Sequence, residues 1–253
     1  MEMERDSLKQ FRYFLKDSIR KRVDFSRTDQ YRGIDVPPIE KPYRADALRI
    51  DLVKGGEWRN IARIDLATAI GNRESRRVYR KEPLSLEEVS FLLWATQGVR
   101  GKVVGGHAHR TVPSAGCRHA LETYLAVLNV EGVASGIYRY LPLSHQLLYE
   151  FSEEQLAGKM VDAVFGQPYP GNAALTFIWT VIPYRMEWRY GLAAHRVIAI
   201  DAGHVCQNLY LACEAIGAGT CAIAAYDQDE MDRLLRVDGE EEFAVYLASV
   251  GRV

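Results

Sequence analysis

The chain has 253 residues, a formal net charge of −1 and 48% hydrophobic content, enough for one sizeable core, and no composition break argues for two domains. With 32 basic and 33 acidic residues it lacks the concentrated positive charge that nucleic acid requires, although a small polyanionic cofactor remains compatible. No run of about 18 apolar residues occurs, the opening M-E-M-E-R-D lacks a signal-peptide core, and the four cysteines show no C-x-x-C spacing, so a soluble, cytoplasmic protein with reduced, buried thiols and no metal site is expected.

Residues 4–22 read as an amphipathic helix ending in the basic I-R-K-R. Pro37, Pro38 and Pro42 punctuate V-P-P-I-E-K-P-Y, which excludes regular helix and predicts an extended arm that wraps over a surface or a partner subunit. Residues 1–59 are assigned to this helix and arm, and residues 60–253 to the globular domain.

Arg73, Ser75 and Arg77 lie at i, i+2 and i+4, so in an extended chain all three side chains share one face. Two guanidiniums and a hydroxyl on one face could hold an anion; the alternative is a solvated basic edge continued by Arg76, Arg80 and Lys81. A helix follows, with Ser85 as N-cap, Glu88 at N3 completing a capping box, and Gly98 as C-cap. Leu86, Val89, Leu92, Leu93 and Thr96 give it a buried face, which relates the basic segment rigidly to the turn Pro113-Ser114-Ala115-Gly116.

Beyond the turn, L-E-T-Y-L-A-V-L-N-V reads as a buried strand, and I-Y-R-Y-L and Q-L-L-Y-E as a short pair. Ser152 with Gln155 predicts a second capping box, opening a helix that ends near Gly166. Residues 173–182 form a further strand, and Asp201 to Ile216 a long apolar helix, central or at a subunit interface. Ala222–Ala225 and Phe243–Val250 supply the last strands, separated by a helix over 229–235. The class is α+β, a mainly antiparallel central sheet flanked by helices.

Several motifs exclude chemistry. Gly217-Ala218-Gly219-Thr220-Cys221-Ala222 satisfies G-x-G-x-x-A, but a helix precedes it and a strand follows, the reverse of a dinucleotide fingerprint, so the glycines read as a helix C-cap and turn. His107 and His109 lack a neighbouring carboxylate or thiolate to complete a ligand set, and Ser114 sits in no G-x-S-x-G elbow.

The ordered strings R-E-S-R-R (73–77), P-S-A-G (113–116), Y-R-M-E-W-R-Y-G (184–191), D-A-G-H-V-C-Q-N-L (201–209) and G-A-G-T-C-A-I-A-A-Y-D (217–227) together resemble the nitroreductase superfamily, and more narrowly its SagB-type (ThcOx-like) dehydrogenase branch, across roughly residues 70–252. That resemblance implies an FMN-dependent oxidoreductase of nitroreductase-like fold, homodimeric with FMN at the subunit interface, passing hydride through flavin N5 between a donor, NAD(P)H, and a small-molecule acceptor. It puts Arg73 and Ser75 at the phosphate and ribityl end, Arg77 near N1 and O2, Arg252 near the phosphate, and the amides of Ala224 and Ala225 at N5 and O4. Pro113, Ser114, Ala115 and Gly116 match a turn that in many members reaches a cofactor held mainly by the other subunit. Arg189 and Tyr190 match a Lys-Tyr pair implicated in catalysis by azoline dehydrogenases. An arginine there cannot act as a neutral base, which weighs against azoline-to-azole oxidation in peptide natural-product biosynthesis. A third reading keeps a flavin-binding fold without turnover.

Overall fold

The computed structural model describes residues 2–253. Seven strands form one antiparallel sheet in the order β1-β4-β3-β2-β5-β7-β6. They are β1 (Arg49–Asp51), β2 (Leu121–Val127), β3 (Gly136–Leu141), β4 (Gln146–Phe151), β5 (Leu175–Val181), β6 (Ala218–Ile223) and β7 (Phe243–Arg252). The helices are α1 (Glu2–Phe14), α2 (Leu66–Asn72), α3 (Leu86–Gln97), α4 (Leu156–Ala163), α5 (Tyr184–Tyr190), α6 (Ala194–Glu214) and α7 (Gln228–Leu235).

Strand alternation divides the core in two. In the central β5, Phe177 and Trp179 join the cluster that contains α3 and α6, while Ile178 joins the opposite cluster with α4 and α7. Both faces of the middle strands are therefore covered, and β2 and β5 are buried at every position. The 21-residue α6 lies on the first face, its buried stripe running through Ile198, Ala202, Val205, Cys206, Leu209, Ala212 and Cys213. Its two cysteines and Cys221 are buried free thiols, and burial pushes the Cys206 thiol up to about 12.

The α3 caps agree with the expected pattern: the Ser85 side chain accepts from the Glu88 N–H, and Glu88 returns to the Ser85 N–H. Gly98 is required there for space, because a Cβ would sit 2.6 Å from the Trp94 carbonyl oxygen. The expected box at Ser152 and Gln155 does not form. Gln155 is itself the N-cap of α4, at φ 54 in the left-handed region, and makes no side-chain cap. The first helix also differs: α1 stops at Phe14 and residues 17–22 wind as a 3-10 segment, because Lys16 is extended and Arg196 of α6 donates to the Leu15 carbonyl. Gly217 is a turn at φ 60 as expected, whereas Gly219 lies inside β6, where a Cβ would meet Arg76 Cγ and Val253 Cγ1 at 2.5 Å.

The proline arm packs on its own chain. Glu122 of β2 accepts from the Lys41 N–H (2.8 Å), Arg139 of β3 donates to the carbonyls of Lys41 (2.9 Å) and Pro42 (3.2 Å), and Arg110 donates to that of Ile39 (2.8 Å). The arm then runs into β1, which pairs with β4, so the sheet begins at residue 49, ahead of the expected start of the globular domain near residue 60.

Candidate functional site

Arg73 ends α2, and the chain then crosses the open edge of β6, with Ser75 bridging Thr220 and Arg80 bridging Arg252. Arg73 and Ser75 converge on Tyr210 of α6. The Arg73 guanidinium lies 5.5 Å from the Tyr210 ring centroid, and Ser75 Oγ is 2.8 Å from the Tyr210 hydroxyl, which accepts the Ala222 N–H at 2.9 Å. Arg77 does not share this face: its guanidinium lies 5.9 Å from the ring of Tyr169, which packs in the opposite core cluster. The reason is local. Residues 73–80 make two isolated bridges rather than a continuous ladder, so strict side-chain alternation is not enforced. Arg76 pairs with Glu74 and Arg80 with Glu82, whereas among the described residues Arg73 and Arg77 have no carboxylate partner.

Ala224 and Ala225 follow the end of β6, exposed, with N–H groups that bond to no backbone carbonyl among the described residues. Ala224 borders a cavity of about 590 Å³ whose walls include Ala199, Ala202 and Gly203 of α6, Phe243 to Tyr246 of β7, and Phe14 of α1. Ala199, Ala202 and Gly203 put small residues on the α6 wall of this cavity. Gly203 and Tyr210 are seven residues apart on one helix, about 10 Å along its axis.

The turn at 113–116 lies on another flank of α6. Asp201 accepts from the Ala115 N–H (3.3 Å), Ser114 Oγ accepts from the His119 N–H (2.9 Å), and burial pushes the Asp201 carboxyl up against the hydrogen bonds that oppose it. Pro113 lies beside Asp201 and His119 at the base of the turn. Gly116 is at φ 58, and a Cβ there would lie 2.6 Å from the Tyr190 hydroxyl and 2.7 Å from Arg189 Nε. The turn and the Arg189-Tyr190 pair are thus in contact within one chain. Arg118 and His107 join them: Arg118 is 0% exposed, 5.0 Å from the Trp188 ring centroid, with Nη1 at 3.4 Å from His107 Nδ1. Burial, then the charges of Arg118 and Arg189, hold the His107 imidazole below its ordinary range. Among the described residues no three His, Cys, Asp or Glu side chains gather as a metal site, and no helix is long and apolar enough to cross a membrane.

Arg252 stands apart from Arg73 and Arg77 in having a carboxylate partner. Its Nη2 donates to both carboxylate oxygens of Glu88 (2.7 and 2.8 Å) and Nη1 to the Ile216 carbonyl (2.5 Å), tying β7 to α3 and to the end of α6. In this structure the guanidinium is engaged by that internal clamp through both Nη atoms. Arg252→Gln should lower the unfolding free energy by about 1.5–3 kcal/mol, read by urea denaturation, because Glu88 loses its charged partner at a part-buried site.

Sequence reasoning did not single out Tyr210, Asp201 or Arg118. Asp201 stood in a quoted motif without a role, and Arg118 follows the P-S-A-G turn by two residues, but the contacts of all three are set by tertiary packing that leaves no local signal.

A protein of Methanocaldococcus jannaschii named as a nitroreductase, MJ1384, is 32% identical over 193 residues, covering 76% of this chain and 93% of its own. The trifolitoxin-processing protein TfxB of Rhizobium leguminosarum bv. trifolii is 28% identical over 163 residues, 61% of this chain and 44% of TfxB. Among solved structures, a protein of Ralstonia eutropha described as a nitroreductase superposes with a TM-score of 0.67 at 24% identity, covering 86% of this chain and 97% of that one. The E. coli microcin synthetase McbBCD complex with truncated pro-MccB17 bound gives a TM-score of 0.60 at 19% identity, covering 81% of this chain and 78% of that one, a likeness of fold. With residues 70–252 matching its family pattern and the seven-stranded antiparallel sheet described above, this chain belongs to the nitroreductase family.

Proposed function

We propose that the protein is an FMN-dependent oxidoreductase that works as a homodimer, taking reducing equivalents from NAD(P)H and delivering them to a small-molecule acceptor. The observation that carries the reading is the convergence of Arg73 and Ser75 on Tyr210, with no carboxylate paired to the guanidinium among the described residues, and with the cavity at Ala224 reached along the same helix. These residues fit FMN: the cationic end suits a phosphate, and the cavity suits a planar ring. When bound, FMN would supply the hydride chemistry at N5. The chain's own contribution is binding and orientation. Tyr210 links the Ser75 hydroxyl to the β6 backbone, so the grip and the strand leading to Ala224 move as one unit. The open amides at Ala224 and Ala225 are donors for the edge of a ring. Arg77, turned toward Tyr169, is assigned no contact at N1.

Charge-assisted bonds to phosphate contribute roughly 1.5–3 kcal/mol each, so Arg73→Ala should weaken FMN binding on the order of tenfold to a hundredfold. Fluorescence titration reads this directly, and unchanged affinity removes Arg73 from the grip.

A second reading is azoline-to-azole dehydrogenation during peptide maturation, in the SagB-type branch. TfxB, named for trifolitoxin processing, and the fold shared with the McbBCD complex favour it; Arg189 at the position of the lysine weighs against it. Stopped-flow reduction separates the two. Bleaching of the flavin by NADH or NADPH supports the first, and bleaching only by a heterocycle-bearing peptide the second.

A further inference from the structure

Beside the turn, the buried positive charge of Arg118 has no carboxylate partner among the described residues. Arg118 is 0% exposed, and its Nε and Nη2 atoms have no hydrogen-bond partner among the described residues. Its remaining nitrogen reaches only His107, at 3.4 Å, and its ring contact is with Trp188. Arg189, two residues before Gly191 at the end of α5, makes no hydrogen bond or ion pair among the described residues; its guanidinium lies over Tyr190 at 5.5 Å. The two arginines act electrostatically on each other and on His107. Two buried carboxylates of this region are already engaged: Asp201 by the Ala115 N–H (3.3 Å), and Glu122 by Arg185 (2.6 Å), Arg139 (3.6 Å) and the Lys41 N–H (2.8 Å).

The identity of the free atoms narrows the missing partner. Nε and Nη2 form the side-on edge of a guanidinium, two parallel N–H bonds that match the two oxygens of a planar carboxylate. The same edge of Arg44 holds the Asp46 carboxylate in this molecule, at 3.0 and 2.8 Å. Water could satisfy the hydrogen bonds of Arg118 but not its charge, and a buried cation without an anion is strongly disfavoured. Gly116 lacks the side chain that would push Arg189 and Tyr190 away, so turn, Arg118 and Arg189 are contiguous.

We propose that Arg118 and Arg189 form a carboxylate-binding site at the substrate end of the active centre, so that the protein acts on an organic acid. Arg118 holds the carboxylate edge-on from below, and the half-buried Arg189 closes over it from the solvent side. The assignment rests on the proposed function only in taking Arg189 and Tyr190 as facing substrate.

The test uses the purified full-length protein with FMN and two probes of the same shape, acetate and acetamide, followed by broadening of their methyl NMR lines at constant ionic strength. Acetate is expected to bind at least tenfold more tightly than acetamide, and Arg189→Gln to abolish that preference. Arg118→Gln should do the same, but its burial puts the fold at stake, so the half-buried Arg189 carries the decision. Equal binding of the two probes, no binding of acetate, or a preference that survives Arg189→Gln overturns the proposal. Inorganic phosphate that displaces acetate at equal concentration also overturns it, assigning the site to phosphate. Parallel FMN titration keeps the two readings separate: a protein that refuses FMN yet discriminates acetate from acetamide sinks the flavin assignment and leaves this one standing.

Discussion

Glu122→Gln is expected to lower the unfolding free energy by about 3–5 kcal/mol, because it removes the one carboxylate shared by several buried donors. Glu122 is 3% exposed. Its Oε1 accepts from Arg185 at 2.6 Å and from the Lys41 N–H at 2.8 Å, and its Oε2 lies 3.6 Å from Arg139. An amide of the same shape leaves Arg185 without its counter-charge, leaves Arg139 with Glu150 alone (2.7 Å), and loosens the arm that Lys41 anchors. Burial alone would raise the Glu122 carboxyl; the Arg185 and Arg139 charges overcome it and hold the group below its ordinary range. A depressed folded-state pKa means that its stabilisation is fully present above the unfolded carboxylate value, about 4.3, and is lost as pH falls through the lower folded value. Urea midpoints measured from pH 7 to pH 3 should therefore fall with acid in the parent and fall less in Glu122→Gln. Glu82→Gln serves as the contrast: its pair with Arg80 is more than half exposed on both sides, and its loss should change stability by no more than about 1 kcal/mol.

The same network shows what the sequence could and could not convey. The strand over 173–182 and the α3 capping box are local patterns, and both were readable directly. The matching pattern at Ser152 and Gln155 was false because Gln155 takes a left-handed conformation that residue identity does not announce. Docking of the arm depends on Lys41 meeting Glu122, 81 positions away, and composition alone left open whether the arm covers its own chain or another. In the site, the i, i+2 spacing of Arg73 and Ser75 survives because both meet Tyr210. Arg77 escapes the pattern because the segment is held at isolated bridges. Arg118 was invisible for a different reason. What distinguishes it is an absence of partners, which only a packed interior reveals.

Ile200→Asp is expected to abolish dimerisation and FMN binding together while leaving the chain folded. The reasoning starts from α6. Asp201, which holds the Ala115 amide, and Gly203, which borders the Ala224 cavity, are about 200° apart around the helix, so the Pro113–Gly116 turn and the cavity lie on different flanks of one chain. In the proposed homodimer, the turn that completes the site comes from a second copy. The outward stripe of α6 is available for that contact: Ile200 is 43% exposed, Gly203, His204 and Gln207 are exposed, and Leu66 and Ile70 of α2 add exposed apolar surface. Leu209 is fully buried in its own core, so a charge there would unfold the chain and report nothing about assembly. A ligand that contacts both chains stabilises the assembly by mass action, about 2.7 kcal/mol at a hundred times its Kd, so FMN should also shift wild-type protein toward dimer. Sedimentation velocity of both proteins with and without FMN, with circular dichroism as the check on folding, measures each step. A folded Ile200→Asp monomer that retains FMN at wild-type affinity would mean that the site is built within a single chain, without the turn of a second copy.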